Sequence, residues 1–399
     1  MNEGESQKRR VYMDNAAATP LKPEVLEVMM PFLTENFGNA SSIHQEGQKT
    51  KQALEESRIK VARILEIKPV GVFFTGNGTE SNNLAILGRL RYLHKEKGVA
   101  YSDMEVVTTK IEHPSVDEVM AELEGLGVKV KYVKVDEKGI ISPTELEKLL
   151  SSKTVLITFA YVNSEIGTIQ PVLRLVRLVR KFERENNISI MVHLDAAQAP
   201  LWLPCAFKQL GVDTMALDAG KCYGPKGVGV LAMSKRIGLL PVAFGGGQED
   251  ELRPGTENVA GIVGMARALE LAQDNYKERA ERVGKLRDEM IEMLLGRVTG
   301  TVLNGATGEA RVANNINISL LDFDTEYAVV YLDMQGIAAS TKSACAGAGG
   351  GESAVVKELT ADAACSRSTI RFSLGEDTTK EDLEYVVDAL VKFCERMRG

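Results

Sequence analysis

A lysine held between small residues in DAGKCYGPKGVGVL has the setting of an amine nucleophile. A crowded, apolar turn solvates an ammonium poorly, which favours the neutral amine at Lys221. Lys226 competes for that role, and either side chain also reads as a surface lysine with its charge in water. In HLDAAQAP, Asp195 and Gln198 follow the apolar run IMV. A carboxylate there is either a helix cap or the partner of a buried cation. FFTGNGTESNN ends a strand at Thr75, turns at Gly76 and Gly78, and opens a helix with Thr79, Glu80 and Ser81. Such a turn aims backbone N–H groups and a hydroxyl at an anion, typically a phosphate. The plainer reading is a glycine turn with Thr79 as N-cap. No Gly-Lys-Ser/Thr follows, so it is not a Walker-type loop. Cys345 in STKSACAGAGGGES precedes Gly347, Gly349, Gly350 and Gly351, a composition that predicts a loop able to carry a thiol about. The alternative is a small buried hydrophobe. Arg371 in TIRFSL offers a planar fork to a carboxylate, or a surface ion pair. Anion loop, strand-end acid and lysine amine together suggest pyridoxal phosphate, for which a protein supplies an amine, a carboxylate for the ring nitrogen and an anion site.

The elements that must position these residues follow from hydrophobic patterning. Between residues 70 and 235 short β-branched runs (VGVFFT, EVVTT, VKVKYVKV, TVLITFA, ISIMVHLD) alternate with helical patterns at 80–97, 114–126, 143–151 and 171–186. That alternation predicts βαβ units and a mainly parallel sheet, whose ligands sit beyond the carboxyl ends of its strands. Ser142-Pro143 reads as the cap and first residue of the third helix. After Glu257 come long charged helical patterns, a strand in ARVANNINISLL, a helix at 324–334 and a closing helix from Thr379, an α+β unit. The prediction is an α/β fold: a sheet of the seven-stranded type flanked by helices, with a smaller α+β C-terminal domain. Residues 12–262 form the large domain, 263–399 the small one carrying the Cys345 loop, and 1–11 an N-terminal segment.

With 399 residues the chain has ample core, and its 48 basic and 55 acidic side chains show no basic cluster, so neither nucleic acid nor a membrane surface is an expected partner. No apolar run reaches 18 residues, which predicts no membrane span. Five cysteines without Cys-x-x-Cys pairing or zinc spacing predict no metal and a reducing, cytoplasmic setting.

YMDNAAATP, FGNASSIH, TGNGTESNNLAI, HPSV, NSEIGTIQPV, HLDAAQ, KCYGPKGVGVL, GGGQEDELRPGTENVAGIVG, LDMQGIAASTKSACAGAG and IRFSLG, in this order, resemble the cysteine desulfurases of the NifS/IscS type, which are class V aminotransferase relatives of fold type I. The resemblance implies conversion of L-cysteine to L-alanine with pyridoxal 5'-phosphate. Lys221 would bond the cofactor and move the substrate Cα proton, Asp195 would pair with the ring nitrogen, and His113 would stack on the ring and assist proton transfer. Gln198 would bond the ring oxygen, Gly78 and Thr79 the phosphate, and Thr256 the phosphate of a neighbouring subunit, which implies a homodimer. Arg371 would clamp the substrate carboxylate with Asn163 and Ser164 nearby. Cys345 would take the sulfur as a persulfide and hand it to an acceptor such as an iron-sulfur scaffold or a thiolation partner.

Three positions depart from the family pattern. Asp218 and Gly220 replace a serine and a histidine that contact phosphate, and Ser164 replaces an asparagine. A charge at Asp218 about 4 Å from the phosphate costs on the order of 4 kcal/mol at an effective dielectric near 20. Asp218 is therefore expected to turn away, to be protonated, or to weaken cofactor binding. Two alternatives remain at this point: a selenocysteine lyase or related C–S lyase, and a weakly catalytic partner-binding homologue. Cys222, adjacent to Lys221, is expected to pack, and His44 is a further candidate near the substrate entrance.

Overall fold

The computed structural model describes residues 9–321, 323–341, 351–360 and 362–398; Cys345, Gly347, Gly349 and Gly350 lie outside the described residues. Twelve strands are described: β1 Val11–Tyr12, β2 Val72–Thr75, β3 Glu105–Thr108, β4 Lys129–Tyr132, β5 Thr154–Ala160, β6 Met191–Asp195, β7 Thr214–Asp218, β8 Gly229–Met233, β9 Thr301–Leu303, β10 Asn315–Leu320, β11 Ile337–Ala338 and β12 Thr369–Ser373. A seven-stranded sheet runs β2-β8-β7-β6-β5-β3-β4 and is parallel except for β8, which is antiparallel to both neighbours. The fold is thus the α/β arrangement expected. β7 was not foreseen, because TMALD is short and ends in a carboxylate.

Inner strand β5 is apolar apart from buried Thr154 and Thr158, and Leu156, Ile157 and Phe159 are buried because helices cover both faces. On one face lie helices α3 Gly78–Lys97 and α4 Pro114–Gly125, whose Leu84, Ile86, Leu90 and Met120 join Phe73, Val106 and Leu156. The other face takes α6 Val172–Asn186, with Val172, Leu175, Val176 and Val179 at i, i+3, i+4 and i+7 forming the inward stripe. Helix α8 Val259–Asp274 packs on α1 Pro23–Thr34 and α2 Gln45–Ile64. The expected division at 262/263 falls inside this unbroken helix. Helix α5, Pro143–Leu149, starts at the predicted proline, although the Ser142 side chain makes no cap bond.

A second, antiparallel sheet, β12-β10-β9, packs with helices α9 Tyr276–Arg297, α10 Thr325–Met334 and α13 Lys380–Arg398. The first residues described close onto this unit. β1 pairs in parallel with β11, Val11 opposite Ile337, and Asn15 Nδ2 donates to Ser373 O at 3.0 Å. No helix among the described residues is long and apolar enough to cross a membrane.

Candidate active site

A cleft of about 230 Å³ opens at the carboxyl ends of β5, β6 and β7, where a parallel sheet places its ligands. It is lined by Lys221, Asp195, Gln198, His113, Asn163, Ser164 and Arg371, and by Gly78 and Thr79 at the head of α3. Of the described residues expected at the site, Thr256 alone is missing from this lining, and Cys345 lies outside the described residues.

Lys221 sits in a 3-10 turn directly after β7, with Nζ donating to the carbonyls of Ala16 at 3.0 Å and Ala17 at 2.5 Å. Residues just beyond β1 thus aim the amine into the cleft. Gln198 Nε2 donates to the same Ala16 carbonyl at 2.9 Å. Neighbouring Cys222 points the other way and is buried, with its thiol pushed up by burial. Burial pushes the thiols of Cys205, Cys365 and Cys394 up as well, so no described cysteine is a ready thiolate. Lys226 instead bonds the Thr19 carbonyl, and exposed His44 caps α2 by accepting from Gly47 N–H. Neither lines the cleft.

Asp195 ends β6, where its Oδ1 accepts Ala197 N–H at 3.0 Å and its Oδ2 accepts an amide hydrogen of Asn82 at 2.8 Å. The second amide hydrogen of Asn82 goes to Ser115 Oγ, and Asn82 Oδ1 accepts from His193 Nε2 at 3.0 Å. Burial holds the His193 ring neutral, with its pKa lowered to about 3. Ser115 in turn serves His113, whose Nδ1 accepts Ser115 N–H at 3.1 Å and lies 2.8 Å from Ser115 Oγ. The proton of neutral His113 is thereby assigned to Nε2. Burial lowers the His113 pKa against the opposing pull of Asp195, and Lys221 lowers it further, so the ring is neutral at pH 7. Asn82 is the residue sequence reasoning missed: one amide ties the acid, the imidazole and the core together. Its only signal was its place in TESNN.

Beside His113, Glu112 has its Oε2 sealed from solvent although the residue as a whole is half-buried. Burial raises its pKa to about 8, opposed by Thr109, whose hydroxyl donates to Oε1 at 2.6 Å.

Arg371 reaches the cleft from β12 with a side chain only 2% exposed. Nη2 pairs with Asp14 at 2.9 Å, Nη1 donates to Ser164 O at 3.0 Å, and buried Nε has no acceptor among the described residues. Asn163 spends its amide on the Ile111 carbonyl and on the N–H groups of Glu165 and Ile166. Ser340 exchanges backbone hydrogen bonds with Arg371 in both directions, five positions before Cys345.

At the opposite end of the cleft α3 begins, capped by Asn77, which accepts Glu80 N–H at 2.8 Å; the cap is not Thr79. Asp218 is not turned away. Its Oδ2 accepts Gly78 N–H at 2.9 Å and its Oδ1 accepts Gly220 N–H at 2.8 Å. Thr256 is exposed and outside the cleft. Its segment is tied down by Arg253 to Glu80 at 2.8 Å, and by Glu249, whose carboxylate takes both Arg58 Nη groups at 2.8 and 2.7 Å.

The donor set fits pyridoxal phosphate at its ring end: amine, carboxylate, carboxamide and neutral imidazole converge on one cleft. At its phosphate end a carboxylate of the protein already stands among the donors.

The family described as aminotransferase class-V matches residues 11–386. The chain is 41% identical over 395 residues to a protein named cysteine desulfurase IscS from Dictyoglomus turgidum, spanning 98% of this chain and 96% of that one. It is 38% identical over 391 residues to one of the same name from Clostridium botulinum, with the same coverage of each. Among solved structures, a NifS-like protein superposes with a TM-score of 0.89 at 34% identity, over 97% of this chain and 100% of that one.

Proposed function

Because this chain belongs to the aminotransferase class-V family and is a pyridoxal-phosphate-dependent cysteine desulfurase of the NifS/IscS type, we propose a division of labour among its own residues. Lys221, its Nζ oriented by the carbonyls of Ala16 and Ala17, is the amine that would hold the cofactor aldehyde, and it would carry the substrate Cα proton. Asp195, held by Asn82 and Ala197, is the carboxylate that would pair with the cofactor's ring nitrogen. When bound, the cofactor supplies an electron sink for the carbon whose proton leaves. Neutral His113 lines the same cleft and would face the ring with its Nε2 proton available. Arg371, fixed by Asp14 and Ser164, presents Nε and the edge of its fork to the substrate carboxylate.

The Cys345 thiolate then attacks the substrate sulfur. An S–S bond forms, the Cβ–S bond breaks, the electron pair returns to carbon, and protons carried by Lys221 complete alanine. The observation that supports this reading most is the convergence of Lys221, Asp195 and His113 from three different strand ends on one cleft that Arg371 closes. The persulfide passes to an acceptor such as an iron-sulfur scaffold, in a cytoplasmic homodimer whose second subunit receives Thr256. We divide the chain into a large cofactor domain and a small domain built on β9, β10 and β12.

Mass spectrometry after addition of L-cysteine tests this. One extra sulfur on the Cys345 peptide, released by a reductant and absent from Lys221→Ala, is the expected result. Alanine formed by a Cys345→Ala variant at the wild-type rate would exclude Cys345 as the sulfur carrier.

A further inference from the structure

The head of α3 offers few donors that are still uncommitted. Gly76 N–H goes to Glu80 Oε2 at 2.5 Å, Glu80 N–H to Asn77 Oδ1, and Gly78 N–H to Asp218 Oδ2. Arg253 answers the Glu80 charge from outside the cleft. Asp218 lines the cleft itself, with Thr79, Asn77 and Lys221. Its carboxylate is seated by design of the local chain. β7 ends at it, and the next turn supplies Gly220 N–H. A Cβ at position 220 would stand 3.2 Å from Asp218 Oδ1, tighter than most real contacts, so glycine leaves the acid its room. An anion arriving at this helix end meets another anion on the donor it would use.

We propose that Asp218 sets the cofactor specificity of this site: its carboxylate competes with the cofactor's phosphate for Gly78 N–H, so the phosphate adds less affinity than the helix end would otherwise give. The inference rests on the functional reading above, since it needs the ring end of the cofactor at Lys221. Its direct consequence is a site that accepts the unphosphorylated aldehyde, pyridoxal, with a small penalty relative to pyridoxal phosphate. The hydrogen bonds that fix Asp195, from Asn82 and Ala197, and Gln198, to Ala16, do not involve Asp218, whose charge reaches the ring end only through His113 and the cleft it shares with Lys221. Replacing Asp218 therefore changes the binding of the phosphate-bearing aldehyde far more than that of pyridoxal.

The test titrates apo-protein with pyridoxal phosphate and with pyridoxal, followed by the absorbance of the bound aldehyde. Borohydride reduction and peptide mapping then locate the attachment. Asp218→Ser and Asp218→Asn are expected to bind pyridoxal phosphate between about tenfold and a hundredfold more tightly than wild type, the worth of one hydrogen bond to a charged group. Pyridoxal affinity is expected to stay within about twofold. Unchanged or weaker pyridoxal phosphate binding by both variants overturns the inference, as does an equal gain for both aldehydes. Attachment of both aldehydes at Lys221 with no change in their ratio leaves the functional reading intact and rejects only the role of Asp218. Attachment of neither aldehyde to Lys221 rejects both.

Discussion

Replacing Glu112 by glutamine removes a titration that the fold makes costly. Its Oε2 is sealed from solvent, and burial raises the pKa from 4.5 to about 8, with Asp195 adding to the rise and Thr109 opposing it. The folded protein therefore keeps a proton on Glu112 that the unfolded chain loses above pH 4.5. A raised folded pKa contributes stability that is fully present below 4.5 and is lost as pH rises to about 8. The loss is about 1.4 kcal/mol per pH unit across that window, on the order of 3 to 5 kcal/mol in all. Glutamine copies the shape of the neutral acid and still accepts the Thr109 hydroxyl, so it carries no such pH dependence. Urea midpoints of wild type and Glu112→Gln, measured from pH 5 to 9.5, are expected to coincide near pH 5 and to separate steadily, with the variant the more stable above pH 8. Parallel curves over the whole range would refute the reasoning, because they would mean that the carboxyl ionises in the fold without penalty.

Two further expectations follow from the same geometry. Arg371→Lys keeps the charge but cannot bridge Asp14 and Ser164 O together, so KM for L-cysteine should rise about 10- to 100-fold while the cofactor spectrum is kept; an unchanged KM removes Arg371 from the carboxylate clamp. Glu249→Ala takes the carboxylate from the buried Arg58 guanidinium, leaving it the Val72 carbonyl and Glu55, and strips Phe74 N–H of its acceptor, and should cost about 3 kcal/mol by urea midpoint; Arg58→Leu/Glu249→Leu should cost less than the two single leucine changes added together, and simple additivity would show that the pair is not coupled.

Much of the frame was legible because its signal is local. The β-branched run TVLITFA is strand Thr154–Ala160, and Pro143 opens its helix where expected. Lys221 and Asp195 drew notice as an amine and an acid at strand ends, whereas His113 entered only through the resemblance carried by HPSV. What could not be read depends on which backbone groups meet. Ala16 and Ala17 orient Lys221 with carbonyls, and every residue has a carbonyl, so nothing in AAAT marks these two. Asn82 acquires its role only when β6 brings Asp195 and His193 to it. Asp218 stood out as an anomaly of type, yet the sequence left three outcomes open for it. The geometry removed one, because Gly78 N–H lies within reach of its carboxylate. The 262/263 division failed to coincide with a break because α8 is one apolar helix serving α1 and α2 across it.

The strand pair β1 and β11, with the residues that follow β1, also fixes when the cleft can exist during synthesis. Asn15 bonds a residue 358 positions later, and the Ala16 and Ala17 carbonyls wait for an amine 205 and 204 positions downstream. At roughly 5 to 20 residues per second, the partner of Asn15 leaves the ribosome on the order of tens of seconds after Asn15 itself. The sheet from β2 to β8 can assemble in that interval, since all its strands have by then emerged. Its amine, acid and imidazole would be in place while the wall formed by β1, β12 and Arg371 is still missing. Capture of cofactor by a finished cleft therefore waits for β12, and until then a nascent chain holds Lys221 and Asp218 in place without the wall that carries Arg371.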